Sequence, residues 1–271
     1  MKQLSQKYPI WFCDIWGVVH NGYKPFTTTC SALAKHRKNG GTVILVTNSP
    51  RTSRGVEQQL DEIGVSRDCY DDIVTSGDVT RTLMVGHGGG EVFHLGPTRD
   101  YSIYDGLAIK RVNLEQAKAV LCTGLFDERK ETPADYAPLL QQIKQHGLTM
   151  ICANPDKVVR KGEALIYCAG ALADEYLKIG GKVLMAGKPF APIYDLATLK
   201  AEKLRGVPVL KSKILAIGDG PETDIKGATD YGLPCVLITG GINSGGDVLT
   251  DVLRVVPSAQ IVKSLPELDW H

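Results

Sequence analysis

The sequence is short of several things, and each shortage removes a class of protein. No Cys-x-x-Cys pair occurs among the seven cysteines, at 13, 30, 69, 122, 152, 168 and 235, which argues against a structural zinc site. An odd number at irregular spacing, mostly inside apolar runs, reads as small core residues in a reducing compartment. The six histidines are scattered and form no metal-binding tract. Neither sign of charge dominates: 31 basic residues against 30 acidic ones leave +1, which suggests no nucleic-acid or membrane surface. No apolar run nears the roughly 20 residues needed to span a bilayer. The amino-terminal stretch MKQLSQKYPIWF lacks the apolar centre and small-residue cleavage site of a secretory leader. Tandem repeats and low-complexity segments are absent. What remains is a globular chain, 43% hydrophobic and 23% charged, expected in the cytoplasm and long enough for one large domain or two modest ones.

What is present is alternation. Short β-type runs (PIWFCDI, GTVILVTN, AVLCTGL, LTMICANPD, KILAIGD, PCVLITGG) are separated by amphipathic stretches. SRGVEQQLDEIG places Val56, Leu60 and Ile63 at helical spacing, and CSALAKHRKNGG ends in glycines, a helix stop. PADYAPLLQQIKQHG carries Pro133 near its start and Gly147 at its end. Strands alternating with helices imply parallel sheets and right-handed crossovers. A second αβ set runs through the middle, with glycines at 86, 88, 89 and 90 read as a flexible connection. The expected fold is α/β: a Rossmann-like, doubly wound parallel-sheet core over 1–82 plus 183–271, with an inserted α/β domain over 83–182. One continuous sheet of about ten strands is the alternative, at the upper limit for open sheets.

Four short stretches carry polar groups suited to chemistry. Asp14 ends the strand IWFC, where a carboxylate is costly unless hydrogen-bonded, paired or metal-bound; alone, it reads first as a turn or helix N-cap aspartate. Gly17 and the Asn21-Gly22 turn let the chain fold back there as a small hairpin flap. Thr47-Asn48-Ser49 follows the strand TVILV and suits an anion, or plain helix capping. Lys188, between Gly187 and Pro189, offers a point charge for phosphate, or is a surface lysine. Asp219 ends the strand ILAIG, and Asp224 follows in a loop-to-helix segment beginning near Thr223. With Asp14 these carboxylates make an oxygen-rich site for a hard cation, unless Asp224 merely caps its helix. Three of these clusters end strands, where ligands bind in open α/β sheets, so they are expected to converge.

In this order, strand-Asp, strand-Thr-Asn, Gly-Lys-Pro and Gly-Asp-x-x-x-Thr-Asp-Ile resemble the haloacid dehalogenase superfamily over almost the whole chain. The insertion, with Ala153-Asn154-Pro155-Asp156 and Gly170-Ala171-Leu172, resembles the α/β cap of its class IIA branch, which includes p-nitrophenylphosphatase-like and sugar-phosphatase-like enzymes. The resemblance implies a hydrolase in which Asp14 is the nucleophile. Mg²⁺ would be held by Asp14, the Trp16 carbonyl, Asp219 and Asp224. Thr47, Asn48 and Ser49 would bind phosphate, Lys188 would offset charge, and Asn154 and Asp156 would lie on the substrate side of the cap. Residues near 126–135 and 154–170 would select a small phosphorylated metabolite, and a homodimer through the cap is the expected assembly.

The sequence departs from that pattern at Trp16. The residue two places after the nucleophile is normally an aspartate that protonates the leaving oxygen, and an indole N–H only donates hydrogen bonds without titrating usefully. Three readings follow. One is a slow or specialised phosphatase, with His20 on the flap as a replacement acid unless it simply faces solvent. Another is a binding or regulatory protein that holds Mg²⁺ and phosphate without turnover. The third is another C–O or P–O transfer on the same scaffold.

Overall fold

A computed structural model describes residues 1–87, 89–161, 164–240 and 248–271. Along the chain the elements are α1 (Lys2–Lys7), β1 (Ile10–Cys13), α2 (Thr27–Lys38), β2 (Thr42–Thr47), α3 (Ser53–Ile63), β3 (Asp72–Thr75), α4 (Ser76–His87), β4 (Glu91–Leu95), β5 (Lys110–Arg111) and β6 (Ala119–Cys122). They continue with α5 (Ala137–Gln145), β7 (Thr149–Cys152), β8 (Val158–Lys161), β9 (Ala164–Tyr167), α6 (Ala169–Lys178), β10 (Lys182–Met185) and α7 (Ala191–Arg205). The last are β11 (Ile214–Gly218), α8 (Lys226–Tyr231), β12 (Cys235–Ile238), α9 (Val248–Val255) and β13 (Ile261–Leu265).

The chain divides into two compact units. The first comprises Met1–Thr47, Arg54–Val74 and Lys188–His271, and the second Asn48–Ser53 and Thr75–Gly187. The expected edges at 82/83 and 182/183 thus stand beside unit edges at 74/75 and 187/188. One cause is α4, whose Met84 packs with Leu121 and Ile151 of the second unit's strands. Gly86 lies within α4, so it is helical, and the turn into β4 is made by Gly89 and Gly90 at positive φ. Gly88, expected in the same connection, lies outside the described residues, as do Gly162 and Glu163 of the 154–170 stretch.

The first unit is a six-stranded sheet in the order β13-β12-β11-β1-β2-β3. Its central strand β1 is buried along its whole length, as is β2, which is why both read as unbroken apolar runs rather than as alternating ones. Trp11, Leu33, Leu45, Leu60, Leu215 and Val236 belong to one core in this unit. β1 runs parallel to both neighbours, with Cys13 level with Ile217 of β11 and with Leu45 of β2. The register therefore carries Asp14, the end of β11 and the end of β2 to one edge. β1 also starts both halves of the sheet: the chain leaves it toward β2 and returns on its other side at β11, which makes its carboxyl end a topological switch point.

The second unit is a five-stranded parallel sheet, β10-β7-β6-β4-β5, with a separate β8–β9 hairpin. β6 sends Ala119 and Leu121 into one core and Val120 and Cys122 into another, as pleating requires. The two sheets are distinct, so the alternative of one continuous sheet does not hold. Among the described residues no helix is long and apolar enough to cross a membrane.

Candidate active site

Asp14 follows directly on β1, and its backbone N–H donates to the Ile217 carbonyl at 2.8 Å, extending the ladder by one residue. The residue is 7% exposed. Asp219, 3% exposed, follows β11 one strand away, and Asp224, 7% exposed, comes from the wide π-type turn Pro221–Ile225 ahead of α8. One carboxylate oxygen from each of Asp14, Asp219 and Asp224 lies within 4.8 Å of the others. The segment read as loop-to-helix is this turn running into α8, which begins at Lys226.

Lys188 opens the last segment of this unit and is itself buried, 4% exposed. Its Nζ pairs with Asp14 Oδ1 and, at 2.8 Å, with Asp224 Oδ1, and donates to the Val46 carbonyl at 3.1 Å. Three acceptors match the three N–H bonds of an ammonium. Asp224 is held from its other side, where Oδ2 accepts from the Gly220 N–H at 3.2 Å and the Thr223 hydroxyl at 3.3 Å. A surface lysine and a simple cap aspartate are thereby both ruled out for these two residues.

Burial raises the Asp14 carboxyl well above the ordinary carboxylate range; the Lys188 charge opposes this, while Asp224 and Asp219 reinforce it. Burial works against the Lys188 ammonium, but the Asp14 and Asp224 carboxylates outweigh it and hold the lysine protonated. The cluster sets three buried carboxylates against one ammonium. Like charges this close cannot all ionise cheaply without a further cation.

Three glycines, read in the sequence only as flap and motif residues, shape this cluster. Gly17 has φ 83°, and a Cβ there would run into the Asp219 carboxylate. A Cβ at Gly218 would meet the Asp224 side chain, and one at Gly220 the Thr223 hydroxyl. The sequence signal was present in Gly-Asp-Gly and in Gly17, but spacing alone does not show what a glycine stands against.

The flap forms as its turn residues suggest. Asn21 Oδ1 accepts from the Tyr23 and Lys24 N–H groups, both at 3.1 Å, and Gly22 takes φ 90°. Trp16 is half-buried, with its indole over Gly22 and the His20 ring edge-on to it at 5.4 Å. The solvent-facing reading of His20 is overturned: the residue is only 2% exposed, and its Nδ1 accepts the Gly22 N–H at 2.9 Å. Burial lowers its pKa to about 4, so the ring is neutral at pH 7 and is not poised to protonate a leaving oxygen.

Thr47 ends β2 in the first unit and is buried. Asn48 and Ser49 open the second unit. α3 begins only at Ser53, whose N–H donates to Asp78 Oδ1 at 3.0 Å, so its amino end is already served by a carboxylate. Within the second unit Asn48 Nδ2 donates to Asp156 Oδ1 at 2.9 Å, and the Asp156 N–H donates to Asn154 Oδ1 at 3.0 Å. The Gly170 N–H donates to the Asp156 carbonyl at 3.1 Å. The Asn-Pro-Asp and Gly-Ala-Leu stretches of the sequence are thus one structure, a turn seated on the start of α6.

Residues 11–110 match a haloacid dehalogenase-like hydrolase family, and residues 185–268 a HAD-hydrolase-like family. The crystal structure of a hydrolase of the haloacid dehalogenase-like family from Brucella suis 1330 is 46% identical, with 99% of this chain and 98% of that one covered and a TM-score of 0.89. The D-glycerol 3-phosphate phosphatase of Mycobacterium tuberculosis is 24% identical over 253 residues, 92% of this chain and 68% of that protein. The glycerol phosphate phosphatase of that organism has been solved with magnesium (TM-score 0.69, 23% identity, 92% and 75% covered) and with calcium. A 4-nitrophenylphosphatase from Thermotoga maritima superposes with a TM-score of 0.74 at 21% identity, covering 97% of this chain and 95% of its own.

Proposed function

Because the chain belongs to the haloacid dehalogenase-like hydrolases, a family that includes phosphatases, we propose that it is a Mg²⁺-dependent phosphatase of a small phosphorylated metabolite, acting through an aspartyl-phosphate on Asp14. The observation that carries this reading is Lys188, buried and bonded to both Asp14 and Asp224 beside Asp219. A lone buried carboxylate with a lysine would be a structural ion pair. Three carboxylates around one lysine leave negative charge in excess, in an oxygen-only donor set that fits a hard divalent cation.

Asp14 and Asp219 would hold the cation, with the Trp16 carbonyl and Asp224 completing the set. When bound, it supplies the charge that lets an anionic nucleophile meet an anionic phosphate. An Asp14 carboxylate oxygen then bonds to phosphorus while the ester P–O bond breaks, its electron pair leaving on the alcohol oxygen. Lys188 keeps Asp14 oriented and offsets charge on the transferring group. Thr47, Asn48 and Ser49 hold its oxygens. A water oxygen next attacks the phosphorus of the aspartyl-phosphate, releasing phosphate and restoring the Asp14 carboxylate.

Trp16 leaves the departing alkoxide without the usual acid. The reading is therefore of a slow enzyme, or one whose substrate has a good leaving group. The inserted unit, 83–182 in the sequence reading, serves as the cap that selects the substrate. A homodimer through that unit is part of the same reading, and sedimentation at micromolar concentration checks it. The same observation, Trp16, supports the second reading, a protein that binds Mg²⁺ and phosphate without turnover.

The two are separated with p-nitrophenyl phosphate, whose leaving group needs little protonation. Turnover with Mg²⁺ that vanishes in Asp14→Asn is the expected result. Tight vanadate binding with no turnover establishes the second reading instead. Trp16→Asp should speed hydrolysis of alkyl phosphates by about 10²–10⁴-fold, the usual worth of general acid–base catalysis. No gain would sink the account of Trp16.

A further inference from the structure

The Asn48–Asp156 hydrogen bond joins residues 108 apart in sequence, and nothing in the mechanism above uses it. A carboxylate only accepts, so the amide nitrogen, not the oxygen, must face Asp156. The other end of the amide is fixed by a different constraint. A Cβ on Gly187 would collide with Asn48 Oδ1 and stand 2.7 Å from Pro155 Cδ. Asn48 is therefore bonded to a carboxylate at Nδ2, and at Oδ1 it lies where only a glycine leaves room for it.

Asp156 is in turn held on three sides. Its N–H donates to Asn154 Oδ1, its carbonyl accepts from the Gly170 N–H, and Gly170 has no side chain to push the turn away. A Cβ on Gly170 would meet the carbonyls of both Pro155 and Asp156. The start of α6 thus reaches Asn48 through the Gly170–Asp156 backbone hydrogen bond and the Asp156 carboxylate. Asn48 and Gly187 are also the chain neighbours of Thr47 and Lys188.

We propose that Asp156 is a positioning residue: it acts through Asn48, fixing the amide so that its nitrogen side is presented to a phosphate oxygen, and it does not contact the substrate's leaving group. This rests on the phosphatase reading for the phosphate and on the structure alone for the Asn48–Asp156 coupling. It replaces the expectation, drawn from the class IIA resemblance, that Asp156 binds substrate from the cap.

The test uses the full chain in three variants, Asn48→Ala, Asp156→Ala and Asp156→Asn, and the Asn48→Ala/Asp156→Ala double variant. The Asn48 side-chain amide is identified by ¹⁵N NMR as the pair of signals lost in Asn48→Ala. In Asp156→Ala these signals should move and exchange faster with solvent; Asp156→Asn, which keeps an acceptor oxygen, should restore them. Inorganic phosphate, with Mg²⁺ present, should bind about tenfold more weakly in Asn48→Ala and in Asp156→Ala alike, the usual worth of one hydrogen bond to a charged group. The double variant should be no weaker than Asn48→Ala. Additive losses, an unmoved Asn48 amide in Asp156→Ala, or a change in the ratio of KM for p-nitrophenyl and glycerol phosphates with phosphate affinity intact each overturn the proposal. A wild-type chain that binds no phosphate and hydrolyses nothing sinks the phosphatase reading instead, and the Asn48 amide signals then decide the coupling by themselves.

Discussion

Gly17 meets two constraints at once, a backbone at φ 83° and a carboxylate where its side chain would be. Gly17→Ala should cost about 1–3 kcal/mol from the backbone alone. It should also push Asp219 out of the cluster, so that Mg²⁺ no longer stabilises the variant; urea titration with and without Mg²⁺ reads both. His36 illustrates a buried titratable group outside the site. Its ring stacks on Trp11 at 3.8 Å, and its Nδ1 lies 2.6 Å from the Ser5 hydroxyl. Burial lowers its pKa from 6.5 to about 4, with Asp71 opposing and Arg205 assisting. Between these values the unfolded chain takes a proton that the folded chain refuses. Stability is thus complete above pH 6.5 and is lost as pH falls toward 4, at about 1.4 kcal/mol per pH unit for one histidine. His36→Phe keeps the stack and should lower the measured slope by about that amount; an unchanged slope would show that His36 is not the titrating group.

The turn after β11 does what the strands cannot. β11 delivers Asp219 by register, but Asp224 arrives only because Pro221–Ile225 opens into a wide turn, with Gly218 and Gly220 leaving room. Gly218→Ala should displace Asp224 and weaken its bond to Lys188. Mg²⁺ binding and p-nitrophenyl phosphate turnover should both fall by tenfold or more, on the order of one charge-assisted hydrogen bond, while far-UV circular dichroism stays unchanged. Most elements of the first unit were legible because each is a continuous apolar run bounded by polar or glycine residues. β3, β4, β5, β8, β9, β10 and β13 escaped explicit assignment. Most of them carry charged residues and several are partly exposed, so they lack the unbroken apolar signature of β1, β2 and β6. The opposite case is Gly-Ala-Leu at 170–172, legible as a motif but not as the support of an Asn-Pro-Asp turn, since that pairing joins elements far apart in sequence.

Across the whole molecule, the three buried carboxylates set a stability cost that a cation removes. Saturating Mg²⁺, at about 100 times its dissociation constant, should stabilise the fold by about 2.7 kcal/mol and raise the melting temperature by roughly 5–10 °C. Chelation with EDTA should reverse the shift, and Asp219→Asn should abolish it; a shift that survives in Asp219→Asn would place the cation elsewhere. The sequence by itself determined the fold class and the chemical identity of the cluster, because strand-ending carboxylates, Thr-Asn and Gly-Lys-Pro are local signals read within a few residues. It also determined the flap, whose Asn21-Gly22 turn is closed locally by the Asn21 side chain and a glycine at positive φ. The tertiary structure decided what those groups do to one another. Only parallel register brings Asp14 level with the ends of β2 and β11, and only folding buries Lys188 between two aspartates and His20 behind Trp16. It alone joins Asn48 to Asp156. These are long-range contacts, set by packing and by space left free at glycine, and no local pattern in a chain encodes which distant group will fill that space.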